Sequence, residues 1–475
     1  DSGIFRSVTG VEIITTTVTQ ITTRLLGRSP SVSGSVAPMH AAMVAYDCAI
    51  IIDEPQLIVH QVEVIKNLIS YGSRSLCGVP VSRVTTMSAN ANTSVSNGNN
   101  DNNNTGNTFN FSFDPVIDSP AGTYAHTLYS ADKNTYVHKC KESLVVEAVS
   151  LITDEVNSRQ SYFKENKNVP AGNINNSNIL CIANDVASVV SIAKKLQPLA
   201  KKIGFSLKVV TGEKRIIERP TPQDLKANRQ IIVATQTVEA GADFSSGFIV
   251  SQLAPLPSLF QRWGRLNRYN EYGNQAKGVI LLDGKDHLGS DVTHLIYGEE
   301  CLEPTARFFG DYADNDKSIN LGVSYQDSVY NKISKQQNVP VSTLSPASLT
   351  APVFDEKVVS EYLSHTTDNV DVKNFIYGME TADERKCTVV YRSVIDPDNL
   401  SVFPSEHISM KIADVRKIVD AHKPGSKYSA RNNPLFFAKN AGKWTPVYKS
   451  REIKPGGVYV FNSSVGGFDS TYGVI

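Results

Sequence analysis

The sequence predicts an α/β protein with two lobes built on parallel sheets, the first lobe incomplete, and a C-terminal accessory domain of mixed α/β or β-rich type. Two observations predict it. Short, unbroken aliphatic runs recur at Ala49–Ile52, Ile179–Ala183, Ile231–Ala234 and Gly278–Leu282. Strands of that kind are buried on both faces, as in a parallel sheet. Between them lie stretches of helical period, and strands alternating with helices imply right-handed crossovers. The chain has 475 residues, more than one hydrophobic core serves, so two or three domains are expected.

Taken in order, Val11–Thr15 reads as a strand ending in hydroxyls, followed by a short helix through Ile21, Leu25 and Leu26. Ala49–Ile52 is a strand that closes on Asp53-Glu54-Pro55-Gln56, with a helix from about residue 57 to Tyr71 behind it. Val81–Met87 is the next strand, ending on Ser88-Ala89-Asn90. These 89 residues make the incomplete first lobe. Residues 90–110 are rich in asparagine and carry no period; burial cannot offset their ordering entropy, so 90–131 reads as an insertion or linker.

Residues 132–298 supply the second lobe. A helical period covers 143–159, and Asn184 or Asp185 caps a helix that runs to about Lys202 and stops at Gly204. Leu207–Val210 is a strand ending on Thr211-Gly212, and Phe248–Val250 is another. From Glu299 onward the pattern weakens; Thr388–Ser393 and Val458–Phe461 read as strands and Val415–Ala421 as a short helix. That part, 299–475, is the expected accessory domain.

Composition narrows the class. Lys+Arg and Asp+Glu are 47 each, so no global field draws the chain to nucleic acid, although a local basic groove suffices for binding. Six cysteines stand singly with no CxxC pair, which argues for a reducing, cytoplasmic setting and against a zinc site. Cys48 and Cys181, beside strand runs, read as small apolar residues. No apolar run approaches the roughly 20 residues that span a bilayer, so no membrane partner is expected. The chain begins at Asp1 and is expected to be a fragment.

Chemistry concentrates between Gln230 and Arg268. Gln236, Glu239, Gly241 and Asp243 follow one strand, and Gln261-Arg262-Trp263-Gly264-Arg265-Leu266-Asn267-Arg268 stands about twenty residues on, expected at the start of a helix. Arginine forks hold oxyanions in a way lysine cannot. With Arg265 and Arg268 three apart, a helical turn would set both guanidinium groups on one face, toward a γ-phosphate. Asp53-Glu54 at a strand end can hold a hydrated Mg²⁺ and orient a water, or can simply solubilise that end. Ser88-Ala89-Asn90 reads as a coupling hydroxyl or as a turn. Thr16, Thr17 and Gln20 read as neutral donors to backbone phosphates, or as a capped helix start.

In this arrangement the residues resemble the superfamily-two helicases with two RecA-like lobes. DEPQ resembles the DExD/H box, SAN the SAT motif, ATQTVEAGAD motif V and QRWGRLNR motif VI. More narrowly, the stretch from Ala234 to Arg268 is similar to the CRISPR-associated helicase–nucleases of type I interference systems, and so is Ile14–Leu57. The tail, Lys454–Val474, resembles the type I-G (earlier I-U) branch.

The resemblance implies Mg²⁺- and ATP-dependent 3′-to-5′ movement on single-stranded DNA, recruitment by a Cascade-type surveillance complex, and an accompanying HD-type nuclease, in a prokaryotic cytoplasm. It makes Asp53 the metal partner, Glu54 the general base, and Arg265 and Arg268 contacts to the γ-phosphate with Gln261 nearby. Gly241, Asp243 and Arg262 would bind the cofactor, and Thr16, Thr17, Gln20, Thr211, Gly212, Thr235 and Gln236 the nucleic acid. Some features depart from the pattern. No GKT or GKS phosphate loop and no His-Asp dipeptide occur, and Gln56 and Asn90 replace the usual box and SAT residues. An RNA helicase or DNA-repair translocase with the same motor, or a nucleic-acid or partner binder that works without ATP, are the alternatives.

Overall fold

The computed structural model describes residues 49–53, 65, 83–87, 131–165, 173–212, 214, 218–239, 242–315, 317–344, 386–392, 395, 400–403, 406–421, 436–440, 443–453, 457–462, 468–469 and 473–474. The chain divides into two compact units: 1–102 with 348–385, and 103–347 with 386–475.

In the first unit, β1 (Ala49–Asp53) pairs in parallel with β2 (Arg83–Met87), from Ala49 opposite Arg83 to Asp53 opposite Met87. Ile50 and Ile52 are buried. Ile51, on the opposite face, is 62% exposed, so this run does not lie buried on both faces.

The second unit is organised by a seven-stranded sheet. Its strands are β3 (Asn134–Lys139), β4 (Asn178–Ile182), β5 (Ser206–Val210), β6 (Gln230–Ala234), β7 (Ser246–Gln252), β8 (Lys277–Leu282) and the two-residue β9 (Ile319–Asn320). They lie in the order β5-β6-β4-β7-β8-β3-β9; all pairs are parallel except β3 with β9. β4, β6 and β7 are buried along their whole length, which explains why they read as unbroken apolar runs.

Period two sends alternate residues to the two faces. Ile179, Cys181, Ile231, Val233, Phe248 and Val250 join one core with α1 (Leu144–Glu165) and α2 (Val186–Ile203). Leu180, Ile182, Ile232, Ala234, Ile249 and Ile280 join the other. The Asp185 side chain accepts from Ser188 N to start α2, and Gly204 ends it at φ 72°, a left-handed conformation that glycine adopts without strain.

The second core is closed by α3 (Leu256–Trp263), α4 (Asp291–Tyr297), α5 (Glu299–Asp314) and α6 (Gln326–Gln337). Leu302, Ala306, Phe308 and Phe309 of α5 and Tyr330 and Ile333 of α6 are buried in it. Residues 299–344, expected at the head of the accessory domain, therefore pack on this sheet. Their burial against it comes from tertiary contact, which the fading period after Glu299 did not signal.

Further on, a mixed five-stranded sheet runs β11-β10-β14-β12-β13. Its strands are β10 (Lys386–Arg392), β11 (Ile408–Lys411), β12 (Phe436–Asn440), β13 (Lys443–Val447) and β14 (Val458–Asn462). Val389, Tyr391, Tyr459 and Phe461 pack under α7 (Ile412–Ala421), while Val390, Phe437, Trp444 and Val460 form a second cluster. The fold class is α/β.

Candidate functional site: an arginine turn strapped to the central sheet

The chain after β6 forms a single 3₁₀ turn, Gln236–Val238, and Glu239 follows it. α3 then returns along the sheet and ends sooner than the spacing suggested. Gly264 N donates to Phe260 O at 2.8 Å, and tight bonds from Arg265 N to Arg262 O and from Leu266 N to Trp263 O close the helix. Asn267 takes φ 46°. The QRWGRLNR stretch thus lies at the end of a helix, not its start, and Arg265 and Arg268 do not share a helical face.

The turn is laced to the amino end of β7. Ser246 N donates to Arg265 O at 2.8 Å, Asn267 N to Ser246 O at 2.9 Å, and Arg268 N to Ser245 Oγ at 2.9 Å. Trp263 is fully buried. Gly278 makes room for it: a Cβ there would stand 2.8 Å from Trp263 Cζ2.

The three arginines meet different fates. Arg262 is fully buried. Helical side chains lean toward the amino end of their helix, and this one reaches the carboxyl end of β7. Its Nε donates to Glu239 Oε1 at 2.8 Å, Nη1 to Ser251 Oγ and Gln252 O, and Nη2 to Asn184 Oδ1 and Tyr297 Oη. All five N–H donors of the guanidinium are spent. Burial alone would lower its pKa, but Tyr297 and Glu239 outweigh burial and hold it above its ordinary value. Expected to bind a cofactor, Arg262 instead ties the loop after β6 to the ends of β4 and β7. The reason is physical: no donor remains for a ligand.

Arg265 is 5% exposed and donates from Nε to Val238 O and from Nη2 to Glu239 O. Burial, then the neighbouring Arg268 charge, bring its pKa down to about 10. Arg268 is the accessible member. Among the described residues its side chain donates to Asp243 Oδ1 at 3.1 Å and to Gly264 O at 3.2 Å. Asp243 also accepts from Tyr269 Oη at 2.6 Å and pairs with Lys226 Nζ at 2.9 Å. The Tyr269 hydrogen bond first, then Lys226, holds its carboxyl down at about 2. Gln261 is half-buried on α3.

At the carboxyl ends of the adjacent strands β5 and β6, a second group of expected residues comes together. Thr235 N donates to Val210 O at 3.1 Å, and Thr237 Oγ1 donates to the same carbonyl. Thr211 is buried, Gly212 O accepts from Arg219 Nη2, and Gln236 is exposed. Thr211, Gly212, Thr235 and Gln236 therefore come together at the strand ends, with Thr211 and Thr235 buried and Gln236 exposed, while Arg265 and Arg268 have their backbone at the amino end of β7. Asp53 ends β1 in the first unit. Thr16, Thr17, Gln20, Glu54, Gln56, Ser88, Asn90 and Gly241 lie outside the described residues.

Sequence reasoning did not single out Asn184, Gln252 and Tyr297 as partners of Arg262. The available signal was polar residues standing at the ends of apolar strands. Among the described residues, no group of three or more His, Cys, Asp or Glu side chains forms a metal-holding cluster, and no helix is long and apolar enough to cross a membrane.

The family described as "CRISPR-associated nuclease/helicase Cas3, C-terminal" matches residues 175–271, which contain the loop, α3 and the arginine turn. A CRISPR-associated nuclease/helicase Cas3 of Methanothermobacter thermautotrophicus is 24% identical over 177 residues, covering 35% of this chain and 19% of that protein. One from Streptococcus thermophilus is 28% identical over 106 residues, covering 22% of this chain and 11% of that protein. The crystal structure of T. fusca Cas3 superposes with a TM-score of 0.52 at 14% identity, over 87% of this chain and 52% of that one. The fold is shared with that structure, and the chain spans about half its length. Over residues 175–271, which carry the middle of the central sheet and the arginine turn, the chain is thus similar to the C-terminal part of the Cas3-type CRISPR nuclease/helicases.

Proposed function

We propose that this chain is part of an ATP-dependent helicase of type I CRISPR interference, moving 3′ to 5′ on single-stranded DNA and recruited by a surveillance complex in a prokaryotic cytoplasm. The observation that carries it is the coincidence of the Cas3-like match over 175–271 with the buried loop-and-turn assembly. Arg268 meets the chemical requirement for a phosphate contact: it is partly exposed and holds an exposed aspartate that an incoming anion can replace. Arg265 stands behind it, anchored on the Val238 and Glu239 carbonyls, with Gln261 beside the turn.

Asp53 would hold Mg²⁺, which neutralises phosphate charge when bound, and Glu54 would orient and deprotonate the attacking water. Asp243 keeps Arg268 in place until a ligand arrives, Gly241 would bind the cofactor, and Arg262 acts from behind as a strut. Thr16, Thr17, Gln20, Thr211, Gly212, Thr235 and Gln236 contact the DNA strand. Residues 1–89 belong to the first lobe and the five-stranded sheet to the accessory domain.

The test is strand-stimulated ATP hydrolysis by the whole gene product. Arg268→Ala and Arg265→Ala should each lower turnover about 10³-fold, the scale of an arginine finger, and leave DNA binding intact. Turnover at the parent rate in Arg268→Ala would refute the role. Stimulation by RNA in preference to DNA would favour the RNA-helicase alternative, and strand binding with no turnover at all the ATP-independent one.

A further inference from the structure

We infer that Lys133 is a positioning residue for the arginine turn: its ammonium, clamped on the Trp263 carbonyl at the end of α3, sets where Arg265 and Arg268 stand and adds a third positive charge for a phosphate to meet. The inference deepens the ATP reading and rests on it.

Lys133 immediately precedes β3 and is 4% exposed. Its Nζ donates to Trp263 O at 2.7 Å, the place where a helix concentrates partial negative charge. Trp263 is gripped twice from this strand, because its Nε1 donates to Thr135 Oγ1 at 2.6 Å and Thr135 Oγ1 donates to Lys133 O at 2.9 Å. Lys133 is itself fixed by its own N–H to Asn320 Oδ1 and by Leu321 N to its carbonyl. The residue next after Trp263 is Gly264, and then come the arginines. Any shift of Lys133 is passed on through one carbonyl.

Packing alone would favour an apolar side chain here, since burying an ammonium is costly. What distinguishes Lys133 is its company. Arg265 and Arg268 face it from the turn after α3, and Glu271 faces it from the turn before β8; from β9 the facing side chain is the uncharged Asn320, which holds Asp132. Burial first, then Arg268 and Arg265, bring its pKa down to about 7, against the pull of Glu271. An anion arriving at the arginines would restore the proton, so binding and protonation are linked, and affinity should fall as pH rises through neutrality.

The experiment is calorimetric titration of ATP into the whole gene product at about pH 6 and about pH 8.5, a span that brackets the Lys133 proton. The unaltered chain should bind about fivefold more tightly at the lower pH, a modest charge–charge effect. Lys133→Met should bind weakly at both, and Lys133→Arg tightly at both. A Lys133→Met chain with the parent affinity and the parent pH slope overturns the inference. If that variant does not fold, a Lys133→Arg chain as pH-dependent as the parent overturns it equally. Arg268→Gln is the control: if it weakens binding and Lys133→Met does not, the inference alone fails. If Arg268→Gln binds like the parent, or the parent binds no ATP, the nucleotide reading fails as well.

Discussion

Removing the Arg262 guanidinium should be the most damaging single change in the central sheet. In Arg262→Met five acceptors lose their donor: Glu239 Oε1, Ser251 Oγ, Gln252 O, Asn184 Oδ1 and Tyr297 Oη. Four are neutral, and three of those residues keep other bonds: Ser251 Oγ donates to Gln252 O, which so retains a donor, and Asn184 Nδ2 donates to Leu253 O. Glu239 is different, an acid with its side chain 8% exposed. Stranding one partner of a buried ion pair costs about 3–5 kcal/mol. At roughly 1.5 °C per kcal/mol for a unit of more than 300 residues, the melt followed by far-ultraviolet circular dichroism should fall by about 4–8 °C.

The double variant Arg262→Met with Glu239→Met separates the causes. With no charge left behind, it should melt above the single variant and recover about half or more of the loss, because apolar replacement of a whole buried pair is often neutral. A single variant melting within about 2 °C of the parent would refute the reasoning, as would a double variant no more stable than the single one.

Two further outcomes follow from packing. Burial pushes the thiols of Cys140, Cys181, Cys301 and Cys387 up to about 12, so iodoacetamide at neutral pH should spare all four in the native protein and label them in denaturant. Rapid native labelling of any of them, located by peptide mapping, would contradict this packing. In Gly278→Ala the new Cβ would press on Trp263 Cζ2 at 2.8 Å and on Ile249 Cγ2 at 2.9 Å. The expected loss is about 1–3 kcal/mol, read as a lower melting temperature; an unchanged melt would mean the ring has room to retreat.

In the second unit, the strands plainest in the sequence are those buried on both faces. Ile231–Ala234 and Ile179–Ile182 have no solvent-facing register to interrupt them. β3 escaped notice because its sequence, NTYVHK, lies toward the sheet's flank, with Tyr136 exposed and polar residues throughout. α3 was hidden by Pro255 and Pro257, which suit a helix's first turn but read as breakers in an apolar stretch.

The Gln-Gly-Arg spacing marked the candidate site, but it could not tell three arginines apart. Which one is walled in depends on Glu239, Asn184, Gln252 and Tyr297 converging from four places in the chain. Lys133 gave no signal at all. A lone lysine before a polar strand looks like any surface lysine until α3 is laid across it.

The chain has two tryptophans, and they divide between the two large sheets of the second unit: Trp263 against β8, Trp444 in β13. Trp444 Nε1 donates to Leu400 O, whereas the Nε1 of Trp263, two residues before Arg265, donates to Thr135 Oγ1. With Trp444→Phe, emission would come from one indole alone. The arginine turn would then carry its own fluorophore, and any rearrangement there could be followed optically in real time, without a label attached to the arginines themselves.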